Sequence, residues 1–66
     1  MDITLNSKPL HLDCTLSVAS LLEMQNIPSG GTAVAVNGKI VKRDDWDMRM
    51  ISEGDDIIVI SAAYGG

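Results

Sequence analysis

The sequence predicts an α+β domain in which one helix packs across one face of a mixed five-stranded sheet, with the elements in the order β-β-α-β-β-β. Three observations predict this fold class. Several short segments alternate apolar and polar residues with the period of two that half-buried strands show. One segment instead spaces its apolar residues as a short helix does. A chain of 66 residues has room for one small core, so all of these segments must share it.

The first two predicted strands form a hairpin. Ile3 and Leu5 alternate with polar neighbours. After a turn signal at residues 6–9, the same period continues at Leu10 and Leu12. An antiparallel pair of strands therefore begins the domain.

The predicted helix begins after Ser17, whose hydroxyl can accept a hydrogen bond from the first free backbone N–H groups. Its apolar stripe, which continues toward residue 25, is formed by Val18, Leu21 and Leu22. Pro28 restricts the residue before it and cannot continue the hydrogen-bond ladder, so we expect the helix to end near Asn26. Residues 29–31 then form a loop.

A second hairpin and a last strand complete the domain. Val34 and Val36 alternate with alanines, and Asn37-Gly38 is the dipeptide that a type I′ turn prefers. Residues 57–60 form a near-continuous β-branched run, typical of a central strand. One helix can cover the apolar side chains of all the strands only if this last strand lies between the two hairpins, parallel to the first strand. That arrangement is a β-grasp; a sandwich with a different strand order is the alternative that the pattern leaves open.

Charge and size favour protein partners over catalysis or nucleic-acid binding. The net charge of −4 repels nucleic acid and anionic membranes and favours basic partners. A pocket of the roughly 300 to 1,000 Å³ that ligands occupy is hard to form in so small a domain. We therefore predict that the chain is not an enzyme and holds no cofactor or metal. It shows no secretory signal and no long apolar run, which predicts a cytoplasmic location.

Several side chains of types that can react or bind metals are better explained by structural roles in the fold. Cys14 has little positive charge nearby to activate its thiol, so we predict a small, partly buried structural residue. His11 is out of phase with its apolar neighbours and is predicted to face solvent on an edge strand, without a second histidine. Trp46 is predicted to be a packing anchor, and Met48 and Met50 to fill core gaps. Acidic residues predicted to form a solvated loop and a turn are Asp44, Asp45, Asp47, Glu53, Asp55 and Asp56.

The last residues of the sequence carry the main functional signal. Residues 63–66 are predicted to be a flexible tail after a 1–62 domain, because glycine and small residues pack poorly. Fully extended, the steps from Ala62 to Gly66 carry the Gly66 carboxylate about 13 to 14 Å outward. A carboxylate is an anion and a poor electrophile, so it must be activated, and adenylation by ATP is the usual biological route. Gly65 and Gly66 have no Cβ to clash with a narrow enzyme channel, although two glycines are more often a frayed terminus.

Residues spread in order over the whole chain match one known family. They are Ser17, Val18, Leu21 and Leu22 on the helix, residues 35–38 at the hairpin, Ile40, Val41, Arg43 and Trp46 after it, Gly54 and Asp55 before the last strand, and Gly65 and Gly66. On these residues the chain resembles the ThiS family, the sulfur carrier proteins of thiamin biosynthesis, which are ubiquitin-like β-grasp proteins of about this length that end in Gly-Gly. The chain has Lys42 where the family often has proline, and Tyr64 where it usually has a small residue.

The resemblance implies a cycle in which the Gly66 carboxylate is adenylated, converted to a thiocarboxylate and donates its sulfur to thiazole formation. It implies three partners: an adenylyltransferase of the ubiquitin-activating type that uses ATP, a cysteine-derived persulfide as sulfur donor, and thiazole synthase. Tyr64 and Gly65 would enter the partner's channel with Gly66, and the free carrier would be a monomer. Three alternatives stay open: the small subunit of molybdopterin synthase, a ubiquitin-like protein modifier, and a β-grasp interaction domain with inert glycines.

Overall fold

The computed structural model describes residues 1–61 of the chain. The predicted boundary between a 1–62 domain and a 63–66 tail lies outside the described residues. The elements are β1 (Asp2–Leu5), β2 (Lys8–His11), α1 (Val18–Met24), β3 (Thr32–Val36), β4 (Lys39–Val41), a 3₁₀ turn (Arg43–Asp45) and β5 (Asp56–Ser61).

The five strands form one mixed sheet in the spatial order β2-β1-β5-β3-β4. Strand β5 lies between the two hairpins, parallel to β1 and antiparallel to β3. The predicted strand order and the predicted position of the last strand are therefore confirmed. The architecture is a β-grasp.

The first hairpin has a tighter turn than the sequence predicted. Asn6 and Ser7 both have left-handed backbones, with φ values of 51° and 69°, and they alone connect the two strands. Lys8 and Pro9, which the sequence placed in the turn, instead pair with Leu5 and Thr4 as the start of β2. Strand β2 accepts a proline because it lies at the edge of the sheet.

Side chains and backbone close both ends of helix α1. Ser17 is the predicted N-cap, and its hydroxyl accepts from the Ser20 N–H at 3.1 Å. At the other end Asn26 has a φ of 58°, and the Ile27 N–H donates to the Leu22 carbonyl at 2.9 Å. This is a Schellman-type end with asparagine in the usual glycine position. The helix therefore ends at Met24, because of the backbone at Asn26 rather than because of the later proline.

The core lies between the helix and one face of the sheet. Its buried side chains are Ile3, Leu12, Val18, Leu21, Leu22, Val34, Val36, Trp46, Ile51, Ile57 and Val59. Trp46 is the anchor that the sequence predicted, since its Nε1 donates to the Val41 carbonyl at 2.9 Å and Arg43 lies over its ring.

Two predictions about sulfur-containing side chains were wrong. Met48 and Met50 are 79% and 44% exposed and fill no core gap. The buried core residues of this part of the chain are instead Trp46 and Ile51. Cys14 is exposed rather than partly buried. It lies in a bend after β2 where Leu12 takes the inward position.

A buried carboxylate joins the second hairpin to the beginning of β5. The Asp55 carboxylate accepts from the Asn37 side-chain amide at 2.9 Å and from the Ser52 N–H at 2.7 Å. The Asn37 side-chain oxygen in turn accepts from the Asp56 N–H at 2.9 Å. The turn before β5 was predicted, and Gly54 allows it with a φ of 81°. The burial of Asp55 was not predicted.

Candidate partner-binding site at the end of strand β5

The predicted functional residues, Tyr64, Gly65 and Gly66, lie outside the described residues. What the structure describes is the point from which they start, at Ser61, the last residue of β5. The five steps from Ser61 to Gly66 span at most about 17 to 18 Å. An enzyme that acts on Gly66 must therefore approach the end of β5 closely.

Strand β3 holds this end of β5 on one side. Thr32 pairs with Ser61 in the antiparallel register. Their hydroxyl oxygens lie 3.3 Å apart, and the Thr32 hydroxyl donates to the Pro28 carbonyl. Ser61 is thus fixed to the loop that follows the helix as well as to the neighbouring strand.

The sheet face opposite the helix carries an apolar surface that reaches the end of β5. We call it the open-face patch, and it consists of Ala33, Ala35, Ile40, Ile58 and Ile60. Cross-strand pairs place these residues next to each other: Ala35 is opposite both Ile40 and Ile58, and Ala33 is opposite Ile60. Ile40 and Ile60 are 73% and 66% exposed. One helix covers one face of the sheet, so these alternate side chains have no cover in residues 1–61.

The polarity of the open face changes along β5. At the start of the strand the face is polar, where the Thr4 hydroxyl donates to the Asp56 carboxylate at 2.8 Å. Two and four residues farther along, the same face presents Ile58 and Ile60. The apolar surface is therefore concentrated at the end of β5 from which residues 62–66 continue.

The ionisable cluster around His11 lies at the opposite end of the sheet. The His11 Nδ1 lies 2.8 Å from the Asp2 carboxylate, its Nε2 lies 3.5 Å from Asp13, and all three side chains are exposed. The hydrogen bond from His11 and its charge lower the pKa of Asp2 below the ordinary value of 3.8. Because Asp2 begins β1, which runs parallel to β5, this cluster is remote from Ser61. His11 faces solvent on an edge strand, as predicted.

Shallow concavities on the described surface include one of about 320 Å³ and one of about 270 Å³. The larger lies between the helix and Trp46, and Glu23 is its ionisable side chain. The smaller lies along β4 and is lined by Lys39, Asp45 and Arg49. Within residues 1–61, no three histidine, cysteine or acidic side chains are placed to hold a metal ion. In the same part of the chain, no helix has the length and apolarity to cross a membrane.

Sequence reasoning missed the open-face patch, although the signal was present. Residues 57–60 are apolar at every position, whereas a sheet with one covered face needs apolar residues only at alternate positions. With a single helix predicted, two of the four side chains had to face away from it. Ile58 and Ile60 are those two.

Known proteins match this chain over nearly its whole length. The model of the ThiS family matches residues 2–66. The chain belongs to the ThiS family. This ThiS-family chain is also 30% identical to the sulfur carrier protein ThiS of Escherichia coli (strain K12) over 66 residues, which is 100% of both proteins.

Solved structures show the same architecture. The crystal structure of the thiamine biosynthesis protein ThiS from Geobacter metallireducens superposes with a TM-score of 0.84 at 26% identity, and the match covers 92% of this chain and 93% of that one. A solution structure of a thiamine biosynthesis protein from the same organism gives a TM-score of 0.76 at 27% identity, covering 91% and 81%. The β-grasp deduced from strand order is thus the fold of solved ThiS proteins.

Proposed function

We propose that this ThiS-family chain is a sulfur carrier in thiamin biosynthesis and that partner enzymes act on it. The observation that carries the proposal is the family match over residues 2–66, which includes Gly65 and Gly66. The full-length similarity to a protein named as a sulfur carrier supports the same role. In this role the chain needs no catalytic group of its own.

The proposed chemistry takes place at the Gly66 carboxylate. A carboxylate oxygen attacks the α-phosphorus of ATP bound by an adenylyltransferase, and pyrophosphate leaves. The resulting acyl adenylate is an electrophile, so the outer sulfur of a cysteine-derived persulfide attacks the acyl carbon as AMP leaves, which gives an acyl disulfide. A second thiol then attacks the cysteine sulfur of that disulfide, so that the S–S bond breaks, the thiocarboxylate leaves and a new disulfide forms between the two thiols. The thiocarboxylate then donates its sulfur to thiazole synthase. ATP is a substrate of the partner, and the chain itself holds no cofactor.

Two physical features suit Gly66 to this chemistry. Gly65 and Gly66 lack a Cβ, so they fit an enzyme channel that excludes larger residues. Their distance from the folded body is limited to about 17 to 18 Å beyond Ser61, so the enzyme that binds them must also contact the end of β5. Tyr64 precedes the glycines and would lie at the mouth of that channel.

The open-face patch is the surface on which we propose that the adenylyltransferase docks. Ile58 and Ile60 lie on the strand that leads to Gly66, and Ile40 extends the patch across β3 to β4. Contact between this patch and an apolar surface of the enzyme would remove both from water, which is the main favourable term in association. Docking here would bring the enzyme's channel within reach of the glycines.

Pyrophosphate exchange tests the proposal at its first step. With the adenylyltransferase of the source organism and ATP, the chain should stimulate exchange of labelled pyrophosphate into ATP. Gly66→Ala should keep the unfolding temperature, since the buried core side chains of the described residues lie between Ile3 and Val59, and should lose the stimulation. Failure of the unaltered chain to stimulate exchange would contradict the proposal. Conjugates between the chain and lysines of other proteins would instead favour a ubiquitin-like modifier.

A further inference from the structure

Strand β5 extends beyond the strand that supports it on one side. Strand β1 pairs with β5 only as far as Leu5 and Ile57. The Thr4 N–H donates to the Asp55 carbonyl at 3.0 Å, and the Asn6 N–H, just after β1, donates to the Ile57 carbonyl at 2.8 Å. At Asn6 the backbone then turns into the first hairpin. Within residues 1–61, the last residues of β5 therefore have no backbone neighbour on this side.

The side chain of Asn6 takes the place of the missing strand. Its Oδ1 accepts a hydrogen bond from the Val59 N–H at 2.8 Å. Val59 lies two residues beyond Ile57, which is the spacing at which a parallel ladder repeats its bonds. The regular ladder would use the Asn6 backbone carbonyl for this bond, and the Asn6 side-chain carbonyl accepts it instead. Val59 is buried, so its N–H needs such an acceptor.

We propose that Asn6 is a positioning residue that sets the direction in which the chain leaves the sheet toward Gly66. This inference rests on the proposed function, in which Gly66 must enter a partner's channel. With the Asn6 bond, the end of β5 is held on both sides, by β3 and by this side chain. Without it, the end of β5 is attached along one side only, and Ser61 can shift relative to the part of the open-face patch that lies on β3 and β4, at Ala35 and Ile40.

Asparagine meets two requirements at position 6 that few residues meet together. The position has a left-handed backbone, which asparagine and aspartate tolerate better than other side chains do. It also needs a carbonyl or carboxylate oxygen one methylene away from the backbone. Glycine meets the first requirement and not the second, whereas aspartate meets both. Asn6→Gly and Asn6→Asp therefore separate the hydrogen bond from the turn.

Two measurements on these variants test the proposal. In Asn6→Gly, the hydrogen exchange of the Val59 amide, followed by NMR, should become about tenfold faster or more, as expected for the loss of a bond of roughly 1.4 kcal/mol. In pyrophosphate exchange with the adenylyltransferase, kcat should fall between about tenfold and a hundredfold, the loss typical of a misplaced reacting group. The KM should stay within about twofold, because Asn6→Gly keeps every side chain of the open-face patch.

Matched variants guard against a trivial result. Asn6→Asp should resemble the unaltered chain in both measurements. Ser7→Gly changes the other left-handed position of the same turn and should leave both measurements unchanged. Val59 exchange that is unaffected by Asn6→Gly would overturn the proposal. So would faster exchange with an unaltered kcat, since Asn6 would then serve only the fold. If the unaltered chain gives no pyrophosphate exchange at all, the proposed function fails, and the positioning role falls with it.

Discussion

Replacing the two most exposed isoleucines of the open-face patch should weaken binding to the adenylyltransferase without unfolding the chain. Ile40 and Ile60 are 73% and 66% exposed. Complete burial of an isoleucine side chain contributes about 1.5 to 3 kcal/mol, so covering the exposed two thirds contributes about 1 to 2 kcal/mol for each residue. The double variant Ile40→Thr/Ile60→Thr should lose about 2 to 4 kcal/mol, equivalent to a Kd raised roughly 30-fold to 1,000-fold.

The Kd can be measured by titration calorimetry, with urea unfolding as the check on folding. Threonine is β-branched and keeps the strand preference, so the free energy of unfolding should change little. Met48→Thr is the matched control, because Met48 is 79% exposed but lies in the loop before β5, next to Arg49, whose carbonyl accepts from the Val18 N–H of the helix. Its Kd should stay within about twofold. A double variant that binds as tightly as the unaltered chain would refute the proposal that the enzyme docks on this face.

Two further predictions concern the fold. Asp55→Ala leaves the side-chain amide of Asn37 without its acceptor, so it should lower the free energy of unfolding in urea by about 1 to 3 kcal/mol. The control Asp47→Ala, at an exposed position, should change this free energy by less than about 0.5 kcal/mol. Equal effects of the two variants would contradict the role of the buried carboxylate. Because the pKa of Asp2 is lowered in the folded chain, the unfolded chain binds a proton at Asp2 more readily than the folded chain does. The stabilisation by His11 is therefore fully present above the ordinary pKa of 3.8, and it is lost as the pH falls through the lower pKa of the folded chain. Unfolding followed between pH 5 and pH 2 should therefore show a smaller acid loss in Asp2→Asn than in the unaltered chain, and identical acid dependence would show that the pair contributes nothing.

The strand order was predictable because few arrangements satisfy the sequence. Asn37-Gly38 fixes one hairpin, and the alternation around residues 6–9 indicates the other. The apolar run at residues 57–60 then has to occupy the interior of the sheet. The sequence also identified Ser17 as the N-cap, because the hydroxyl at that position has a local partner three residues later.

Contacts between segments distant in the sequence could not be predicted in this way. The bonds from Asn6 to Val59 and from Asn37 to Asp55 each join residues that are adjacent only after the sheet has formed. The exposure of Cys14 depends on where the chain bends after β2, which no local pattern indicates. Such details follow from the tertiary structure, whereas the hairpins and the helix cap follow from local chemistry.

The sequence indicated more of the proposed function than of the geometry of the candidate site. The proposal of a reactive end at Gly65 and Gly66 depends on the β-grasp pattern before them, since a pair of glycines has little meaning alone. The surface that a partner would contact was not apparent until Ile40, Ile58 and Ile60 were found on one face. Charge and composition had indicated protein partners without indicating where they bind.

Intact-mass spectrometry tests the central claim most directly. The chain is incubated with its adenylyltransferase, ATP, a persulfide sulfur donor and a thiol that cleaves the acyl disulfide, and Gly66→Ala is treated in parallel. We expect the unaltered chain to gain the mass difference of one sulfur replacing one oxygen, and fragmentation to place that change at Gly66. An unchanged mass under conditions in which ATP is consumed, or a sulfur located on Cys14 instead, would contradict the account.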